Sequence, residues 1–391
     1  MGKSWQEPEY MRDWSNPPPW PIFRFGTWLL SLLKLFVQWL QPPPLTLFDI
    51  SMGAWQSQVL YTAAALSIAD VLGNKGPQTA EELAYSLGVD SGRLYRVLRS
   101  AVQMGVFTAI QPKGEAVKVR FKNNRLSACL REDHPNCLRH MMLHFKEHNQ
   151  PAFDELAWAV RTGGNAWRKT HDGLSQFEWL QQDPKEEHKF SKAMQQVDGL
   201  GTHAMASDYG WNQHARIVDI GGAYGSFIGH LLTVHKKPRG VLFDQPQVID
   251  RSKDMWRGKS QLAELAPRME FVGGDFFNAD TLPVAKDGDV WVMRLILHDW
   301  NDADSVTILS NVRRAMGGVD ARLLIVETTL GKEFSDPLFQ RALLDVHMMV
   351  VHNGAERTVV EWKGLLKNAG FSFGRHIPTR GVFSIVEAFP A

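Results

Sequence analysis

The chain has 391 residues, 44% of them hydrophobic and 22% charged, with a formal net charge of +1. Those are globular values, and the length suits two domains rather than one. A near-neutral chain has no whole-protein attraction to nucleic acid or anionic membrane, and two cysteines, Cys129 and Cys137, exclude a disulfide framework and suit a reducing, cytoplasmic compartment.

Residues 1–24 contain Pro17, Pro18, Pro19 and Pro21 and read as an irregular arm without the build of a signal peptide. Residues 25–40, FGTWLLSLLKLFVQWL, are nearly all apolar. At about 16 residues they fall short of the roughly 20 that a bilayer span needs. On a helix, Ser31, Lys34, Gln38 and Gln41 fall on one narrow stripe. The expectation is a helix buried against the protein or a dimer partner. Peripheral contact with a membrane interface is the alternative, because Trp28 and Trp39 suit that level.

Pro42, Pro43 and Pro44 break the chain, and residues 47–72 are Ala-rich with helical spacing. Thr79 with Glu82 forms a capping box that starts a helix ending at Gly88. Asp90 or Ser91 caps the next, with Leu94, Val97, Leu98 and Ala101 inside and Gly105 at its end. VFTAIQ and AVKVRF then alternate like a hairpin. Helix, turn, helix, hairpin is the order of a winged helix. Arg93, Arg96 and Arg99 along its second helix raise DNA binding, but the neutral charge and the large second half favour a structural or dimerising module, with no nucleic-acid partner.

Residues 135–200 read as mostly helical. His140, His144 and His148 recur at four-residue spacing. An i, i+4 histidine pair can chelate zinc, but the third lies a turn too far, so the stripe reads as a pocket wall or helix face and no metal is expected. After Trp211, short Val/Ile-rich runs (ARIVDIGG, GVLFD, MEFVGGD, DVWVMRLIL, ARLLIVET) alternate with helical patterns. That order predicts a parallel sheet covered on both faces.

VDIGGAYGSF is a strand, a glycine turn and a helix start. Gly221, Gly222 and Gly225 let backbone approach a ligand. The dinucleotide pattern G-x-G-x-x-G fails, since Ala223 and Ser226 stand where its second and third glycines belong. Asp219 beside the turn would repel a pyrophosphate but suits a cofactor with an ammonium or sulfonium charge. Asp244 closes the next strand and can hold ribose hydroxyls. Asp275 and Phe276 follow the third strand, where they can meet an adenine amino group and its face. Together these suggest S-adenosylmethionine.

The stretches FEWLQQDPKEEHKFSKAM, IVDIGGAYG, VLFDQPQVI, FVGGDFF, LILHDWND, LLIVET and NGAERTVVEWKGLLKNAGF, in this order, resemble the class II small-molecule O-methyltransferases. The resemblance implies a Rossmann-like α/β methyltransferase sheet over residues 151–391, a mostly helical winged-helix dimerisation domain over 46–150, and an extension over 1–45. It further implies a homodimer, S-adenosylmethionine as cofactor, no metal, and a small aromatic hydroxyl acceptor. By resemblance, Gly221, Gly222 and Gly225 line the cofactor, Asp244 with Gln245 meets its ribose, and Asp275 and Phe276 its adenine. Arg294 stands where the family usually has Lys near the cofactor. His298 would be the general base, oriented by Glu327 and Glu356, with Met194, Asp198, Met348, Met349 and Asn353 facing the substrate. Asp299 reads either as a helix cap or as a substrate contact. Ala223 departs from the family's glycine and is tolerated if its φ is negative.

The chemistry asks for a histidine at that strand end. A phenol titrates near 10, so a base near 7 within hydrogen-bond reach is needed to remove its proton as the methyl is transferred. A carboxylate on the far ring nitrogen fixes the tautomer, and Glu327, at the next strand end, is expected to supply it.

Overall fold

The computed structural model describes residues 18–111, 118–258, 262–331 and 340–391. The chain divides into two compact units. Among the described residues, the first takes in Leu29–Glu155 and Phe177–Val197, and the second residues 18–28, Leu156–Gln176 and Asp198–Ala391.

Helix α1 runs Trp20–Leu40. It starts earlier than expected: residues 20–24, read above as part of an irregular arm, form its first turn, where Pro21 needs no N–H partner. None of its residues is fully buried, so the expected burial against the protein is not seen among the described residues. Helix α2, Pro43–Ala65, begins on Pro43 for the same reason, with Pro42 as its cap. Helices α3 (Ile68–Lys75), α4 (Ala80–Leu87) and α5 (Ser91–Gln103) follow.

Thr79 Oγ1 accepts from Glu82 N–H at 3.3 Å and Glu82 Oε2 accepts from Thr79 N–H at 2.9 Å, completing the expected capping box. Asp90 caps α5 by accepting from Arg93 N–H at 2.7 Å. Leu83, Leu94, Leu98, Ala101 and Phe107 bury their side chains together in this core. Strands β1 (Gln78–Thr79), β2 (Phe107–Ile110) and β3 (Arg120–Asn123) make the small sheet, ordered β1-β3-β2. Ala116 and Val117 of the expected hairpin, and residues 1–17 of the expected arm, lie outside the described residues.

Helix α6, Arg139–His144, passes into a π-helical turn, Phe145–Asn149. The histidine stripe divides by its partners. His140 Nε2 sits 2.9 Å from Glu132 Oε2, whereas His144 and His148 meet through their Nδ1 atoms at 2.8 Å and His148 Nε2 reaches Glu186 Oε2 at 2.7 Å. Helix α7, Pro184–Asp208, follows.

The second unit is built on a seven-stranded sheet ordered β11-β12-β8-β7-β4-β5-β6. The strands are β4 (Arg216–Ile220), β5 (Arg239–Asp244), β6 (Met269–Gly273), β7 (Asp289–Arg294), β8 (Arg322–Glu327), β11 (Phe371–Pro378) and β12 (Ser384–Pro390). Strands β4 to β8 are parallel, and β12 and β11 add an antiparallel edge. A short pair, β9 (Thr329–Leu330) with β10 (Arg357–Thr358), lies outside this sheet. Helices α8 (Ser226–Val234), α9 (Pro246–Arg257), α10 (Asp302–Met316), α11 (Gln340–Val351) and α12 (Val359–Asn368) complete the unit.

All five residues of β4 and all six of β7 are buried, which explains why their sequences run apolar instead of alternating. Val218, Trp291, Met293, Leu323 and Ile325 form the centre of this core. Strand order reverses at β4, which pairs with β5 on one side and β7 on the other. In an open parallel sheet that switch point, outside the C-terminal strand ends, is where a ligand crevice opens.

Candidate active site

The glycine turn occupies the C-terminal end of β4. Gly221 and Gly225 take φ of 72° and 80°, left-handed values that favour glycine. A methyl on Gly222 would meet the Asp219 carboxylate and Leu242, each at 2.5 Å. Ala223 also lies in the left-handed region, at φ 50°, contrary to the negative φ expected to make alanine acceptable. Two contacts hold it there: its N–H donates to Asp244 Oδ2 at 2.8 Å, and its carbonyl accepts from Ser252 Oγ at 3.1 Å.

Asp219 is buried and its Oδ2 has no hydrogen-bond partner among the described residues. Burial pushes its pKa up to about 7, against the pull of Arg294. Arg294, at the end of β7, donates from Nη1 to Asp198 Oδ1 at 2.5 Å, while its buried Nε and Nη2 find no acceptor. Ser226 Oγ donates to Asp198 Oδ2 at 2.6 Å. Asp198, expected to face substrate, therefore has both carboxylate oxygens engaged beside the start of α8. A buried carboxylate oxygen and two buried guanidinium N–H groups without partners, next to a cradle that a Cβ would fill, suit a ligand carrying both an ammonium and a carboxylate.

Asp244 closes β5, where burial raises its pKa against the hydrogen bonds from Gln245 and Ala223 N–H. Gln245 caps α9 by its backbone position, with its side chain exposed. Asp275 is exposed and accepts from Phe277 N–H at 2.9 Å, a local turn bond. Phe276 is half-buried and meets the Trp300 ring edge-on at 6.0 Å.

At the end of β7 the chain turns sharply. Leu295 takes φ 53°, and a single 3-10 turn, Leu297–Asp299, carries the histidine. His298 Nδ1 lies 3.0 Å from Glu356 Oε1 and 3.5 Å from Glu327 Oε2. Glu356 thus makes the direct hydrogen bond for which Glu327 was expected. Glu327 Oε1 instead accepts from Ile296 and Leu297 N–H, each at 3.0 Å, and fixes the backbone that presents the ring. His298 keeps 12% of its side-chain surface exposed against 0% and 1% for the two acids, so the imidazole is the group an entering molecule can meet.

Asp299 Oδ1 stands 3.5 Å from both His298 Nε2 and His352 Nε2. The cap of α10 is Asn301, accepting from Asp304 N–H at 3.0 Å, so Asp299 does not serve as that cap. Burial works to strip the His298 proton, but the charges of Glu327, Asp299 and Glu356 outweigh it and raise its pKa to about 10, well above the value near 7 expected of the base. Burial raises Glu327 to about 7, opposed by His298. Burial also keeps His352 and His347 neutral, His347 down to about 3. The ligand atoms of His298, Glu327 and Glu356 lie within 4.8 Å of one another, a spacing that could also hold a metal ion.

Two supports for this loop were missed, though both lie in the quoted NGAERT stretch. Arg357 is buried and donates to the carbonyls of Leu297 (2.9 Å) and Trp300 (2.8 Å) and to Asp302 Oδ1 (2.9 Å). Gly354 packs so tightly that a Cβ would collide with the His298 carbonyl and the Asp299 backbone. Of the expected substrate residues, Met348 is buried, while Met349 and Asn353 are exposed, Asn353 at φ 65°. Met194 lies half-buried on α7, in the first unit.

The sequence over both units decides the family. Residues 153–372 match the O-methyltransferase domain and residues 48–133 the O-methyltransferase dimerisation domain. The chain belongs to the O-methyltransferase family. It is 37% identical to the phenazine O-methyltransferase PhzM of Lysobacter antibioticus, over 88% of this chain and 95% of that protein. The solved structure of LaPhzM superposes with a TM-score of 0.79 at 36% identity, covering 90% of this chain and all of that one. NcsB1 of neocarzinostatin biosynthesis, solved with S-adenosylmethionine and 2-hydroxy-5-methyl naphthoic acid, is similar at TM-score 0.69 and 27% identity, over 86% of this chain and 96% of that one. This O-methyltransferase uses S-adenosylmethionine, and its dimerisation domain supports a homodimer.

Proposed function

We propose that this O-methyltransferase methylates a hydroxyl on a small aromatic, fused-ring acceptor, with His298 as general base. The observation that carries the reading is the hydrogen bond between His298 Nδ1 and Glu356. It commits Nδ1 to donating and leaves Nε2 as the atom that can take a proton. Glu327 and Glu356 act as positioning residues and stabilise the imidazolium once formed.

S-adenosylmethionine supplies a methyl group made electrophilic by its sulfonium charge. Asp219 and Arg294 offer their unpartnered atoms to its amino-acid end, Gly221, Gly222 and Gly225 give the room, and Asp244 faces its ribose. A cation held in this crevice opposes a second cation on His298, which favours the neutral ring needed for catalysis. The acceptor's proton would pass to Nε2 as its oxygen takes the methyl and the C–S bond breaks, its electron pair staying on sulfur as a neutral thioether. The carboxylates that raise His298 above its ordinary value bring it closer to a phenol's pKa near 10, which narrows the mismatch for that proton transfer.

The relatives named for phenazine and naphthoic acid chemistry support a flat ring acceptor, which Met348 suits as a soft apolar contact. The test is His298→Ala. Cofactor affinity by calorimetry should stay within about twofold, while kcat on a hydroxylated phenazine or naphthoate should fall by about 10²–10⁴. A variant that keeps wild-type turnover removes His298 from the reaction.

A further inference from the structure

The second half of helix α1 and the first half of α2 carry exposed apolar side chains that no described residue covers. Leu30, Leu35 and Trp39 on α1 are exposed, Trp39 at 78%, and so are Leu47, Phe48 and Trp55 on α2. No residue of α1 is buried. A contiguous patch beyond a few hundred Å² on a soluble chain marks a surface that is covered in use.

We propose that this two-helix arm packs against the same arm of a second copy, extending the homodimer interface. Continuity is the first argument. The matched dimerisation domain begins at residue 48, inside α2, so the exposed face runs from α1 directly into a segment already assigned to association. The second argument is the distribution of polar groups. Arg24, Thr27, Ser31, Lys34 and Gln38 recur every three or four residues along the whole of α1. That narrow stripe leaves an apolar surface around most of the helix, as a helix sandwiched between protein surfaces requires.

By length and composition alone α1 could cross a membrane. The stripe argues against that use, because it would put Lys34 within the hydrocarbon region. An in-plane membrane helix calls for a broad, strongly basic face, and α1 offers two cations. A self-complementary patch supplied twice fits a two-fold dimer.

The test uses the full chain. Leu35→Glu/Trp39→Glu puts charge on the apolar face, and Gln38→Glu puts the same charge on the polar stripe. Sedimentation across a dilution series gives the dimer dissociation constant, and calorimetry with S-adenosylmethionine checks that each variant is folded. The double variant should raise that constant by 100-fold or more and Gln38→Glu by less than threefold. An unchanged constant in a folded double variant overturns the proposal, as does a monomeric wild type. Flotation with phosphatidylcholine/phosphatidylserine vesicles is the other arm. Vesicle binding lost in the double variant with dimerisation unchanged assigns the face to a lipid surface and overturns the proposal. Should the double variant not fold, Leu35→Gln takes its place under the same two criteria.

Discussion

The turn after β4 and the turn after β7 sit at the ends of neighbouring strands, yet they are made in opposite ways. The first is built from room. Its glycines lack the Cβ that would collide with Ile296, Asp219 and Leu242, and buried polar atoms of Asp219 and Arg294 have no partner among the described residues. The second is built from contacts. Glu327, Glu356 and Arg357 converge on it from 30 to 60 residues away and leave the backbone no freedom. A site that must receive a charged ligand keeps a carboxylate oxygen and guanidinium N–H groups open, whereas one that must aim a base anchors its backbone from several directions, although one oxygen each of Glu327 and Glu356 has no hydrogen bond among the described residues.

If the contrast holds, changes at the second turn are the more damaging. Gly354→Ala drives a methyl into the His298 carbonyl and should cost about 1–3 kcal/mol of stability with a large loss of kcat, read by thermal unfolding and turnover. Equal stability and turnover in this variant would show that the loop has slack. At the first turn the effects should fall on affinity. Asp219→Asn should weaken cofactor binding about tenfold, near 1.4 kcal/mol, with kcat far less affected. Wild-type affinity should rise as pH climbs through about 7 and Asp219 ionises to meet a cation, and that rise should vanish in the variant. A persistent rise would place the titrating group elsewhere. The smallest effect is expected at Ala223. Replacing it with glycine removes a left-handed alanine and should gain about 1 kcal/mol by chemical unfolding, and a loss instead would mean the methyl packs usefully.

The same contrast explains what the sequence reveals. The glycine turn, the apolar strands and the caps at Thr79 and Asp90 are legible because each depends on residues within a few positions of one another. The sheet's switch point follows from strand–helix alternation. The division of labour between the two acids is not legible, since which of them reaches Nδ1 depends on how α11 and the segment after it return to β7. Gly354 and Arg357 pass unnoticed for that reason, although both stand in a stretch that carries the family resemblance. The sign of φ at Ala223 is likewise invisible, because alanine normally signals the opposite. The partners of the histidine stripe are also not legible, because Glu132 and Glu186 reach His140 and His148 from 8 and 38 residues away.

The central claim is that the carboxylates around His298 hold its proton and thereby set when it can act as a base. The pH profile of kcat/KM for wild type and Glu356→Gln tests this most directly. His298 is protonated below about 10 in the free enzyme, so wild-type kcat/KM should climb with pH across the neutral and alkaline range. Removing the Glu356 charge lowers the His298 pKa, and the rising limb should move to lower pH in the variant while the plateau falls because the ring is less well aimed. Superimposable limbs in the two proteins would contradict the account.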